Sequence, residues 1–197
     1  MEKAFRAKFL DKEIIEKRKE KLKKQYTSLE EGVYMGGEIR EFERQEILGI
    51  ISAMMPEDFV VMPEDYIRTK YTSTFGPQYI TSNLDLNVNM GFSIFPDNLK
   101  DRNVQHVAER TREILDSEDA GLDFGSCEKL ENIEGYWFDF RNHAMEQDVY
   151  NILLITIVEE KILQVTFNCQ IQEQLDWKPV VLQIFETIEP IRERRRI

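Results

Sequence analysis

The chain has only two cysteines, Cys127 and Cys169. They are too few for a disulfide framework, and their spacing matches no metal-binding motif. Its two histidines, His106 and His143, lie far apart in sequence, with no third metal-ligating residue at motif spacing. The nine glycines are scattered, and no glycine-rich phosphate-cradling loop occurs among them; the pair at 36–37 reads as a turn. Long apolar runs are missing as well. Nowhere do the 18 apolar residues of a spanning helix follow one another, and the N-terminal segment lacks the apolar stretch of a secretory leader. These absences lead to the expectation of a soluble, cytoplasmic protein with no cofactor, no metal and no membrane insertion.

What is present is charge, unevenly placed. The formal net charge is −11, yet residues 1–24 carry ten Lys or Arg against five Asp or Glu, and the tail Arg192–Ile197 carries four against one. The segment between, 25–191, therefore holds 12 basic and 31 acidic residues. Basic ends could contact phosphates. Acidic residues interrupt both runs, however, and no stacking aromatics are interleaved, so the ends read as a solvated helix and tail, and a nucleic-acid partner is not expected.

With 42% hydrophobic residues in 197, the chain can fill one core. The division expected is a charged helical extension at 1–26, one domain at 27–191 and the basic tail at 192–197. Residues 11–25 read as a helix with a thin apolar stripe of Leu10, Ile14 and Leu22, one that packs weakly or projects. "GGEIREFERQ" and "EILGIISAMM" read as strands, the second apolar on both faces and so expected near the sheet centre. "LDLNVNMGFSIF" alternates, with Leu84, Leu86, Val88, Met90, Phe92 and Ile94 on one side and Asp85, Asn87, Asn89, Gly91 and Ser93 on the other. "NLKDRNVQHVAERTREILDS" reads as an amphipathic helix, with Asp101 in its first turn. Three strands follow, "GYWFDFRNHA", "DVYNILLITIVEE" and "KILQVTFNCQIQ", the last two joined by a tight turn at Glu159–Lys161. A closing helix, "DWKPVVLQIFETIEP", has Asp176 as N-cap, a stripe of Trp177, Val180, Val181, Ile184 and Ile188, and Pro190 as its stop. The fold class is α+β, an antiparallel sheet flanked by helices.

The order of these elements, the ending "KILQVTFNCQIQEQLDWKPVVLQIFETIEPI" and the earlier "IISAMMPEDFVVMPEDYIRTKYTSTFGPQYIT" resemble the PsbP-like α/β/α-sandwich superfamily over about residues 45–190. That group takes in PsbP, the Ran-binding Mog proteins and bacterial DcrB- and Eag-type chaperones. The resemblance is one of pattern and has no catalytic signature. It implies an antiparallel sheet between helices, and protein binding or chaperoning without catalysis. The long charged N-terminal helix is not part of the shared pattern.

Two features compete for function. The tetrapeptide Met-Pro-Glu-Asp occurs twice, at 55–58 and 62–65, so Glu57, Asp58, Glu64 and Asp65 could supply the acid and base of a hydrolase. Nothing adjacent suggests a cleft. The same residues also fit as punctuation, with Pro56 ending a strand, Pro63 opening a short helix whose first turn holds Glu64 and Asp65, and Phe59, Tyr66, Ile67 and Tyr71 packing that helix onto the sheet edge. The second feature is a set of polar rows: Gln164, Thr166, Asn168 and Gln170 on the last strand, Asn87 and Asn89 on the earlier one, and Trp137, Asp139, Arg141 and His143 on a third. If these rows share one side, they form an amide-bearing face able to hold another protein or peptide. Cys169, on the apolar side of its strand, reads as a buried thiol, and His106 as a solvated one of its helix. The expectation is a non-catalytic binding or chaperone-like module, with an acidic hydrolase and a structural subunit of a homo-oligomer as rivals.

Overall fold

The computed structural model describes residues 2–71, 76–96, 103–143 and 147–191, with side chains from Lys12 onward. Asp101 and the basic tail lie outside the described residues. Helix α1 (Glu2–Gln25) stands in solvent from Lys12 onward: between Lys12 and Gln25 every residue but the half-buried Leu22 is exposed. An exposed Lys17–Glu13 pair at 2.8 Å supports it locally. It leads into a small antiparallel meander of β1 (Thr27–Ser28), β2 (Gly32–Met35) and β3 (Glu38–Arg40).

Strands β4 (Phe42–Ile47) and β5 (Ile51–Pro56) form a hairpin, which corrects the reading of 46–55 as one strand. Leu48 and Gly49 turn the chain with φ of 54° and 67°, left-handed backbone at the two central positions of the turn that the Ile50 N–H closes on Ile47 O within the loop 48–50. Leucine is an unusual occupant of such a turn, so the sequence carried half of the usual signal. β5 is buried on both sides, as expected of "IISAMM", but it lies at the centre of a separate three-stranded sheet with β4 and with β14 (Glu189–Pro190).

Next come β6 (Val60–Val61), α2 (Glu64–Lys70), β7 (Tyr79–Ser82), β8 (Asn89–Phe95), α3 (Val104–Glu118), β9 (Leu122–Phe124), β10 (Glu128–Lys129), β11 (Gly135–Asn142), β12 (Val149–Val158), β13 (Lys161–Gln170) and α4 (Gln174–Glu186). The main sheet is antiparallel, in the order β10–β11–β12–β13–β8–β7–β6, with β9 also paired to β11. Glu159 and Glu160, at φ of 50° and 64°, close the β12–β13 hairpin at the place expected.

Register assigns every side chain to a face. Trp137 stands opposite Leu154, Leu154 opposite Val165 and Val165 opposite Phe92. This row, with Ile152, Phe167, Cys169 and Met90, packs on Trp177, Val180, Val181, Ile184 and Phe185 of α4 and on Ile51, Ala53 and Met55 of β5. On the other face Phe138, Leu153, Ile155 and Ile162 pack on Val104 and Ala108 of α3. The result is an α/β/α arrangement, with α3 over β11 and β12 and α4 over β12 and β13.

Helix ends differ in detail from expectation. Asn103 caps α3 by accepting from the Gln105 N–H at 2.9 Å. α4 begins at Gln174 after a 3-10 turn (Ile171–Glu173), which puts Asp176 in its first turn, and Thr187 ends it. Pro190 pairs with Ile51 in β14 and stops no helix. Among the described residues no helix is long and apolar enough to cross a membrane.

Trp177 is buried against Phe59 and Phe167, at ring-centroid distances of 5.8 and 5.4 Å, under the Arg40 guanidinium. Trp177→Ala should lower unfolding free energy by about 3–5 kcal/mol in urea titration. Leu175→Ala, at a site 86% exposed on the same helix, should change it by less than about 0.5 kcal/mol.

Candidate functional site

The α3 face of the main sheet is covered over β11 and β12 and changes character across β13. There the inward alternation places Gln164, Thr166 and Asn168 opposite Ser93, Gly91 and Asn89 of β8. On the β12 side they oppose Ile155, Leu153 and Asn151. The amide row read from "KILQVTFNCQIQ" therefore continues into the neighbouring strands. It lines a cavity of about 370 Å³, walled by Tyr71, Lys70 and Pro77.

Gly91 explains how that wall forms. A Cβ at this position would lie 2.5 Å from Pro77 Cγ and 2.7 Å from Thr166 Oγ1, so only glycine lets the segment after α2 descend onto the sheet. Asn89 is fully buried and donates from Nδ2 to Asn168 Oδ1 at 2.8 Å. Its own Oδ1 has no partner among the described residues. Asn168 Nδ2 donates at 3.4 Å to the Tyr71 hydroxyl, a weak contact that leaves this donor available. Burial raises the Tyr71 pKa, so the phenol stays protonated. Lys70 is exposed along its stem, while its ammonium donates to Leu86 O at 2.8 Å and is partly shielded from water. That shielding pulls its pKa below the usual lysine value.

A second cleft, of about 540 Å³, adjoins the first and shares Gln164 with it. It runs between α3 and the sheet and is mostly apolar, with Phe95 and Ile114, 41% and 44% exposed, at its mouth and Ile155 and Ile162 at its base. His106 and Arg110 stand on its rim. The two cavities form one trough along β13.

Three residues expected on this surface lie on the opposite side. Trp137, Asp139 and Arg141 share the α4 face through their pairing with Leu154, Ile152 and Tyr150. Trp137 is 4% exposed and belongs to the core. The strand "YWFDFR" is aromatic on both alternations, and both faces of the sheet are covered at β11, so period-two reading could not say which set faced which helix. Only the inter-strand register decides it. Asp139 accepts from the Tyr150 hydroxyl at 2.6 Å and from Lys178 Nζ at 2.7 Å. Lys178 also lies over the Trp137 ring. Burial and the adjacent Asp139 carboxylate hold the Tyr150 hydroxyl protonated well above the usual tyrosine range. This cluster buttresses the start of α4.

Asn87 is also misplaced by simple alternation. Strand β8 begins only at Asn89, and residues 83–88 form a turn in which Leu86 takes φ of 58° and Asn83 Nδ2 donates to Asn87 Oδ1 at 2.6 Å. Leu84 accordingly points outward, 77% exposed. The residues missed from sequence were Asn151, Tyr71 and Lys70, which come from other elements and carry no local signal.

The doubled Met-Pro-Glu-Asp makes two boundaries. The first copy ends β5 at Pro56, and the second opens α2 with Pro63 as N-cap and Glu64 and Asp65 in the first turn. All four carboxylate residues are exposed; Asp58 pairs with Arg40 at 2.6 Å and Glu64 with Arg68 at 3.1 Å. Phe59 is buried as expected, but Tyr66 is exposed, so α2 packs chiefly through Ile67 and Tyr71.

No protein-family model and no curated protein matches the sequence. Solved structures do match in shape. Cyanobacterial PsbP (CyanoP) of Synechocystis aligns over 81% of this chain and 98% of its own, at TM-score 0.53 and 11% identity. The Ran-binding protein Mog1p of Saccharomyces cerevisiae aligns over 76% of this chain and 95% of its own, at TM-score 0.52 and 10% identity. The fold is PsbP-like. Identities this low carry the fold and nothing about activity. In both alignments the matched share of this chain leaves about a fifth to a quarter of it outside the shared part.

His143, at the end of β11, sits between Asp148 at 3.1 Å and Asp123 at 3.4 Å. Hydrogen bonds to these carboxylates raise its pKa above 6.5. What this contact adds to stability is therefore complete below 6.5 and is lost as pH rises through the raised value. The imidazole NMR titration should show a midpoint above 6.5, and Asp148→Asn should move it down. Burial pushes the Cys169 thiol up to about 12. Ellman's reagent at pH 8 should titrate at most one of the two thiols in the native protein, Cys127, and both after unfolding.

Proposed function

We propose that the protein is a non-catalytic binding module that holds a segment of another protein in the trough along β13. Gln164, Thr166, Asn168 and Asn151 face the segment. The observation that supports this most directly is the unfinished hydrogen bonding of that row. The Gln164 amide has no side-chain partner among the described residues, Asn168 Nδ2 makes only its 3.4 Å contact, and both line a half-open cavity of about 370 Å³. Side-chain amides offer both donors and acceptors, as a peptide backbone requires, and apolar side chains find a place in the adjoining cleft.

Mog1p is a Ran-binding protein, so at least one protein of this shape works by holding another. Trp137, Asp139 and Arg141 no longer belong to the proposed surface. They support it from the other side of the sheet. The exposed carboxylates of the two Met-Pro-Glu-Asp copies line none of the described cavities, which counts against the hydrolase reading.

Capture of interacting proteins from the native cell, compared between the natural chain and Thr166→Trp, tests the reading. The half-buried Thr166 lies at the floor of the trough, and an indole there should fill it and abolish capture, with the thermal midpoint, lowered by the crowding against Gly91 and Pro77 but still that of a single transition, showing that the variant folds. A captured set that is the same with and without the indole would place the binding surface elsewhere. Trp137→Ala serves as the contrast: it should cost about 3 kcal/mol of stability through a core cavity.

A further inference from the structure

Resting on the reading of the trough as the binding surface, we infer that its ligand is an extended peptide segment in which acidic residues flank an apolar anchor. The charge distribution carries this. The chain has 37 acidic residues and a net charge of −11, yet no Asp or Glu lines either cavity of the trough among the described residues, and the charged side chains that do line it are Lys70 and Arg110. Two other polar hollows contrast with it: Arg44 is accompanied by Glu46 and Glu189, and Arg141 by Asp123 and Asp139. A basic trough in an acidic body attracts a segment of negative charge and turns away a positive one.

The placement of the groups sets the order of the ligand's features. Lys70 and Tyr71 stand at the Asn168 end, where the ammonium has no carboxylate partner among the described residues and its burial weakens its hold on the proton. A ligand carboxylate beside it would favour the charged form. Phe95, Ile114, Ile155 and Ile162 mark the other end, past Gln164, with His106 and Arg110 above them. Arg110 Nη1 also reaches Glu113 at 3.1 Å, an exposed pair that water screens and that a ligand carboxylate can share. From Gln164 to Asn168 the strand advances about 13 Å, so an apolar side chain seated in the cleft and a carboxylate at Lys70 lie about four residues apart in an extended ligand. Between them the side-chain amides of Gln164, Asn151 and Asn168 meet the backbone of a ligand laid across the sheet face.

The test uses the full chain and three pools of fluorescein-labelled peptides of about twelve residues, each with Leu or Phe at the centre and Thr beside it, flanked by Glu, by Gln or by Lys. Binding is read by fluorescence anisotropy at low and high NaCl, and the site by backbone amide NMR shifts. The expected result is that the Glu-flanked pool binds at least about tenfold tighter than the Lys-flanked pool, weakens with salt, and shifts the amides of residues 164–168. In Lys70→Gln combined with Arg110→Gln, its affinity should fall by about fivefold or more while the Gln-flanked pool is unaffected. Equal or tighter binding of the Gln- or Lys-flanked pool within the trough overturns the acidic class and leaves the trough reading standing. Absence of any shift at residues 164–168 with all three pools overturns the class too; the trough reading then falls only if the captured proteins are also indifferent to Thr166→Trp. The thermal midpoint of each variant separates lost binding from lost folding.

Discussion

The structure depends on one contact, the seating of Trp177 between Phe59 and Phe167 on the α4 face of the main sheet. Through it α4, the β4–β5 hairpin and the central strands share a single dry layer. Once Phe167, Val165 and Leu163 are committed to that layer, the pleat leaves Gln164, Thr166 and Asn168 no choice of side. The polar row is a geometric consequence of the core behind it. The Arg40 guanidinium over the Trp177 ring, paired with Asp58, ties the first Met-Pro-Glu-Asp copy to the same contact.

Among the described residues, the opposite face is only half closed. α3 seals β11, β12 and the Ile162 end of β13 through Val104 and Ala108, while Thr166 and Asn168 further along β13 line the cavity beside Tyr71. A sheet face that is dry on one flank and amide-bearing on the other suits a segment that brings its own backbone and one or two apolar groups. Gly91 is part of the same device, because its missing side chain lets Pro77 come down onto the sheet and give the trough a wall.

Much of this was legible in the chain. Period-two alternation in β13 and, from Asn89 onward, in β8, the tight turn at Glu159–Glu160, the 3.6-residue stripes of α3 and α4, and the boundary role of Pro56 and Pro63 all rest on interactions within a few residues, and all appear in the structure. Failures came where a local pattern had two equally good readings. "EILGIISAMM" is apolar enough for one strand, yet left-handed backbone at Leu48 and Gly49 folds it into a hairpin. "YWFDFR" has an aromatic on each side, so nothing local told Trp137 from Phe138.

The sequence by itself determined the α+β class and, on β13, the dry side and the amide row, because near neighbours alone set these. Which rows meet across strands was left to tertiary structure, since register is a relation between segments far apart in the chain. So was the joining of Lys70, Tyr71, Asn151 and Asn168 into one basic, amide-lined trough, and the removal of Trp137, Asp139 and Arg141 to the other face. Strand pairing is cooperative and exists only when the whole sheet does.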